Sequence, residues 1–129
     1  MTNQSPFLDE ETISNMKELG NGDGDFSERL LIVQLMFVYL ENLPDRIAEL
    51  NQGMNINDAH LVERAAHTLK SSSRLIGLIS LAEDCQILED FGFSKDLSQA
   101  KEVYNRILKK EKKAKTVIAH KIKLIESGG

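Results

Sequence analysis

The groups best suited to chemistry in this chain crowd into one stretch: Glu63, Arg64, His67, Lys70, Ser71 and Arg74 fall within a dozen residues. On a helical wheel of about 100° per residue the other five lie within about 60° of His67, while Leu61, Val62, Ala65, Leu69 and Ile76 occupy the opposite arc. The imidazole therefore stands in the middle of a polar face. A neutral, exposed histidine is a nucleophile. Lys70, Arg64 and Arg74 disfavour the imidazolium, whereas Glu63, one turn earlier, opposes them and is placed to orient the ring. Spacing alone favours an ordinary surface histidine on a charged helix.

Other constellations carry less. The run Gly20-Asn21-Gly22-Asp23-Gly24-Asp25 lacks the lysine and hydroxyl of a phosphate loop, and as a calcium loop it has Phe26 where glycine is needed and Ile32 where the bidentate glutamate belongs. It reads as an interhelix turn. A di-metal bundle needs Glu-x-x-His pairs, but Asn57, Arg64 and Val117 stand three residues before His60, His67 and His120. His60, Glu63 and His67 could share one ion, yet no fourth ligand is evident. Cys85 lies on an apolar helix face and reads as a packed thiol.

The elements that must position His67 are helical. Clusters of helix breakers at 20–25, 51–58, around Gly77 and at 91–96 divide the chain into five segments. The first runs from about residue 9, where Asp9 caps it, to 19, with Ile13, Met16 and Leu19 on one side. The second spans about 26–50, with Leu30, Val33, Phe37, Leu40, Ile47 and Leu50 recurring near the 3.6 period and Pro44 expected to bend it. The third follows Asp58 and carries His67. The fourth covers about 80–90 with Leu81, Cys85 and Leu88 inward. The fifth starts near Asp96 as its cap and carries Leu97, Ala100, Tyr104, Ile107, Leu108, Ala114, Ile118, Ile122 and Ile125. No strand-type alternation competes. Short loops between long amphipathic segments predict an all-α, up-and-down antiparallel four-helix bundle with a short extra N-terminal helix and a long C-terminal one.

With 129 residues, 41% hydrophobic and 28% charged, the chain is expected to form one domain over 1–129, with a core at about 8–108 and a basic helical extension at about 109–126. No apolar run is long enough to span a bilayer and no leader-like segment opens the chain, which predicts a cytoplasmic protein with no membrane partner. A lone cysteine fits a reducing compartment. Between Arg106 and Lys123 eight lysines or arginines face the single Glu111, a local balance of +7; the net charge of −4 then leaves −11 on the rest. An acidic body argues against a duplex-DNA binder.

The text around the histidine favours one of the two readings of it. Ala66-His67-Thr68-Leu69-Lys70-Ser71-Ser72-Ser73-Arg74-Leu75-Ile76-Gly77, followed by Leu81-Ala82 and by a segment from Cys85 to Glu89, resembles the histidine-containing phosphotransfer (HPt) domains of multistep phosphorelays. Their motif reads roughly His-x-x-Lys-Gly-Ser-Ser, with a second glycine ten residues after the histidine and a Leu-Ala-x-x-Cys-x-x-Leu-Glu-like helix beyond. His67, Lys70, Ser72, Ser73 and Gly77 match in register, and the likeness extends over about residues 8–108. Ser71 departs, standing where the family usually has the glycine that leaves room for an incoming receiver domain.

The resemblance implies that His67 takes a phosphoryl group from an aspartyl phosphate on one receiver domain and yields it to another. It also implies that Lys70 offsets the phosphate charge; Arg74 joins it from its place on the wheel. Glu63, Arg64, Ser71 and Gly77 would face the partner. The partners implied are receiver domains of response regulators and hybrid histidine kinases. Magnesium would come with the receiver, and the chain needs no cofactor or ATP of its own. Such a protein is a phosphocarrier, an enzyme only in a loose sense, and is expected to be a monomer. The alternative is a non-catalytic adaptor that docks receivers without accepting phosphate. The apolar stripe through Val117, Ile118, Ile122 and Ile125 is expected to fold back on the bundle near the first helix.

Ser71→Gly should leave receiver docking intact or improve it, at a cost of about 0.5 kcal/mol in helix stability. Binding isotherms with a receiver and a thermal melt check both; a large loss of transfer would give the hydroxyl an active role.

Overall fold

The computed structural model describes residues 7–19 and 26–128, with side chains described at 7–14 and 30–128. The expected turn at 20–25 and the expected inward positions of Met16 and Leu19 lie outside the described residues. Among the described residues five helices follow one another: α1 Glu10–Leu19, α2 Phe26–Asn55, α3 Ala59–Leu75, α4 Ile79–Phe93 and α5 Lys101–Glu126. Neighbours pack in a ring, α2 on α3, α3 on α4, α4 on α5 and α5 back on α2, with α1 laid against α2. This is the up-and-down bundle expected from short loops. No helix among the described residues is long and apolar enough to cross a membrane.

Three helices end in the same way. At the ends of α2, α3 and α4, the residue after the cap takes a left-handed conformation: Asn57 (φ 55°), Gly77 (φ 90°) and Lys95 (φ 59°). The amides of Asp58, Leu78 and Asp96 then reach back to the carbonyls of Gly53, Ser73 and Phe91 at 2.9, 2.8 and 3.1 Å. Paired with bonds from Asn57, Gly77 and Lys95 to the carbonyls three residues earlier, these close Schellman motifs that satisfy otherwise orphaned carbonyls. Asp58 also starts α3, accepting the Leu61 amide at 3.1 Å.

Several boundaries and faces differ from the expectation. α2 continues past residue 50 to Asn55, because Gly53 is buried against Val62 of α3 and packing outweighs its poor helix propensity. Pro44 lies inside α2, which runs through it. Leu30 and Phe37 are exposed, at 46% and 50%; the buried stripe is Ile32, Val33, Met36, Tyr39, Leu43 and Leu50. Residues 30–40 are apolar on almost every side, so their period could not select the inward face. Asp96 does not cap α5 but holds a turn, accepting the amide and hydroxyl of Ser98 at 3.0 and 2.6 Å. Helix α5 begins after Ala100 without a side-chain cap.

The core does not close near Leu108. Ala114, Ile118, Ile122 and Ile125 belong to the same buried cluster as Leu8, Ile13, Ile32 and Met36. The fold-back expected for the C-terminal stripe is what the structure contains: Lys121 Nζ meets Glu10 Oε1 at 2.8 Å, and Lys113 lies 4.7 Å above the Phe7 ring. Part of the basic stretch is thereby paired with acidic groups, Lys110 and Arg106 also meeting Asp84 and Lys115 the buried Glu111.

Truncation after Lys110 removes three fully or nearly fully buried isoleucines, each worth about 1.5–3 kcal/mol. The shortened protein should lose its cooperative thermal transition or melt far below the full chain. A circular-dichroism melt checks this, and an unchanged melting point would mean that the tail is passive.

Candidate functional site

The site sits beside a close approach of α4 to α3. At Gly92 an added Cβ would stand 2.8 Å from both the Ala59 carbonyl oxygen and the Glu63 amide nitrogen. Only a residue without a side chain allows this approach. One turn back along α4 from Gly92 is Glu89, which the close approach carries against the polar face of α3. His67 Nδ1 lies 2.9 Å from Glu89 Oε2. Lys70 Nζ lies 2.7 Å from Glu89 Oε1 and donates to Gln86 Oε1 at 3.0 Å. Gln86 is in turn anchored by its own amide, which donates to Asp90 Oδ1 at 2.8 Å.

One carboxylate thus bridges the histidine and the lysine. Burial pushes the Glu89 carboxyl up, but hydrogen bonds and charge from Lys70 and His67 outweigh it and hold the group below the ordinary carboxylate range. Glu89 is therefore an anion at neutral pH. Its depressed value stabilises the folded state above the ordinary carboxylate pKa, and this contribution is lost as the pH falls through the lowered value. The His67 side chain remains 58% exposed, whereas that of Lys70 is 13% exposed.

The remaining expected residues distribute unevenly. Glu63 does not orient the ring; it faces His60, whose Nδ1 lies 3.8 Å from its carboxylate, and Glu89 holds His67 instead. Glu63 and Arg64 line an open depression with His60, His67, Thr68 and Glu89. Ser71 is exposed one turn beyond His67, and Arg74 is exposed two turns beyond, outside that depression. Gly77 presents no surface to a partner. It is buried at the α3–α4 turn, its carbonyl accepts the Asp9 amide at 2.8 Å, and an added Cβ would meet the Asp9 carbonyl at 3.0 Å.

Glu89 is the site residue that sequence reasoning missed. It closes the segment after Cys85 that carried the resemblance, but nothing in its spacing says that it meets His67, since that depends on the register of α4 against α3. Ser73 is internal: its hydroxyl pairs with Tyr39 at 2.9 Å, tying α3 to α2. Burial, with a further contribution from Asp84, pushes the Cys85 thiol up to about 12, which leaves it a poor nucleophile.

Comparison with known proteins follows the same lines. A sequence model of the Hpt domain matches residues 34–119, more than half of the chain. Among solved structures, histidine-containing phosphotransfer protein B (HptB) from Pseudomonas aeruginosa PAO1 is similar, with a TM-score of 0.77 over 93% of this chain and 97% of that one. The two are 18% identical, so this likeness speaks for the fold. None of the curated proteins matches the sequence.

Gly92→Ala should force α4 away from α3, at a cost of about 1–3 kcal/mol, and separate Glu89 from His67. A thermal melt reads the first effect and the His67 side-chain resonances the second. A variant with wild-type stability and an unshifted histidine spectrum would show that the approach of the two helices does not set this contact.

Proposed function

The chain belongs to the Hpt domain family, the histidine phosphotransfer carriers of phosphorelays, and on that premise we propose that His67 carries a phosphoryl group from the aspartyl phosphate of one receiver domain to the aspartate of another. The observation that supports this most directly is the 2.9 Å contact between Nδ1 and the Glu89 carboxylate. An ionised carboxylate can only accept, so Nδ1 holds the ring proton and Nε2 keeps its lone pair. On a side chain more than half exposed, Nε2 is the nucleophile.

In the forward step Nε2 attacks the phosphorus of the aspartyl phosphate. The Nε2–P bond forms as the P–O bond to the donor aspartate breaks, and that electron pair leaves with the carboxylate. The imidazole retains its Nδ1 proton and becomes cationic, and Glu89 faces that charge across the existing hydrogen bond. In the second step an aspartate of the next receiver attacks phosphorus, and the N–P electron pair returns to Nε2. Positioning and charge neutralisation carry most of such a transfer. Magnesium belongs to the receiver's acidic pocket, and no side chain of this protein is assigned to it. We place the relay in the cytoplasm, with the protein acting as a monomer and receiver domains of response regulators and hybrid histidine kinases as its partners.

His67→Gln should abolish acceptance of phosphate from a phosphorylated receiver while shifting stability by no more than about 0.5 kcal/mol, as expected for an exposed position. The assay is transfer of label to an acid-labile, alkali-stable form on this protein. Continued labelling of the variant would overturn the assignment, and a wild-type chain that binds receivers without taking label would be an adaptor.

A further inference from the structure

Lys70 is the cation that the family resemblance assigns to the phosphoryl group, yet its ammonium is already engaged. It is ion-paired with Glu89 at 2.7 Å and donates to Gln86, and its side chain is 13% exposed. To reach a phosphoryl oxygen it would have to leave a carboxylate that is itself largely enclosed, and a partly buried anion stripped of its cation is costly.

Arg64 is placed differently. It is exposed, makes no ion pair among the described residues, and lines the depression in which His67 stands. Side chains on a helix lean toward its N-terminus, so the His67 ring covers the turn that carries Glu63 and Arg64 rather than the turn that carries Lys70 and Ser71. Glu63, an anion lining that depression, faces His60. Arg74 lies two turns the other way, about 10 Å along the axis, and leans toward Lys70 and Ser71. A guanidinium beside the reacting nitrogen can take two phosphoryl oxygens at once.

Building on the carrier reading above, we propose that Arg64 is the cation that meets the phosphoryl oxygens during transfer, and that Lys70 is a positioning residue that acts through Glu89 on the His67 ring. Each part has its own readout. Phosphoramidate, a small-molecule phosphoryl donor, and a phosphorylated receiver are each offered to the full-length protein, and phosphohistidine is followed by phosphorus NMR. Nitrogen-15 spectra of the unphosphorylated proteins report the His67 tautomer.

Arg64→Ala should accept phosphate about tenfold more slowly from both donors with its tautomer spectrum unchanged, and Arg64→Lys should recover part of the rate. Lys70→Ala should shift the tautomer balance before any phosphate is present. Wild-type acceptance by Arg64→Ala would overturn the assignment of Arg64. Slower transfer by Lys70→Ala with an unshifted tautomer would overturn the positioning role of Lys70. If the wild-type protein takes no label from either donor, the carrier reading itself falls and the Arg64 assignment falls with it; a labelled wild type with an indifferent Arg64→Ala defeats only the inference drawn here.

Discussion

The approach of α4 to α3 at Gly92 is the contact on which the chemistry of this bundle turns. With its backbone against Ala59 and Glu63, α4 has no freedom to slide or stand off, and Glu89 is held between His67 and Lys70. The consequence is electrostatic as much as steric. A carboxylate kept ionised beside the ring decides which nitrogen carries the proton, faces the charge that phosphorylation would leave on the imidazole, and pairs with Lys70. Gln86 and Asp90, one turn apart on α4, extend the same network and fix Lys70 from its other side.

The rest of the bundle keeps that pair of helices in place. Val62, Ala65, Ala66 and Leu69 of α3 and Leu81, Ala82, Cys85 and Leu88 of α4 are buried, so each helix is pinned by the face opposite its polar one. The outer side of α4 is fastened to α5 by the buried Asp84, which takes Arg106 at 3.2 Å and Lys110 at 2.7 Å. Such a buried anion adds little net stability but is intolerant of losing its cations, so it fixes register more than it strengthens the fold. Gly77 makes the turn between α3 and α4 tight enough for α1 to dock on its carbonyl.

The long basic end of α5 shows how a surface charge pattern can conceal a structural element. Read as a line, residues 106–123 are strongly cationic; in three dimensions Ile107, Ala114, Ile118 and Ile122 face inward, and five of the eight cations, Arg106, Lys110, Lys113, Lys115 and Lys121, meet Asp84, Glu111, Glu10 or the Phe7 ring. Part of the basic helix is thus held by the acidic body, through Asp84 of α4 and Glu10 of α1.

The sequence by itself determined the helical class, the number and order of the helices, and the exposure of His67 opposite the Leu69 side of α3, because each of these follows from a 3.6-residue period and from turn residues within a few positions of one another. It also carried, through the text from Ala66 to Gly77, the resemblance that led to the phosphotransfer family. Tertiary structure alone decided which face of the largely apolar run at 30–40 in α2 turned inward, why α2 ran on through Gly53, and that the core continued to Ile125. It alone chose Glu89 over Glu63 as the partner of His67 and placed Gly77 beneath α1 rather than on the surface. These depend on contacts between residues far apart in the chain, such as His67 with Glu89 and Gly92 with Ala59. Local periodicity gives the direction in which a side chain points but not the height at which a neighbouring helix meets it.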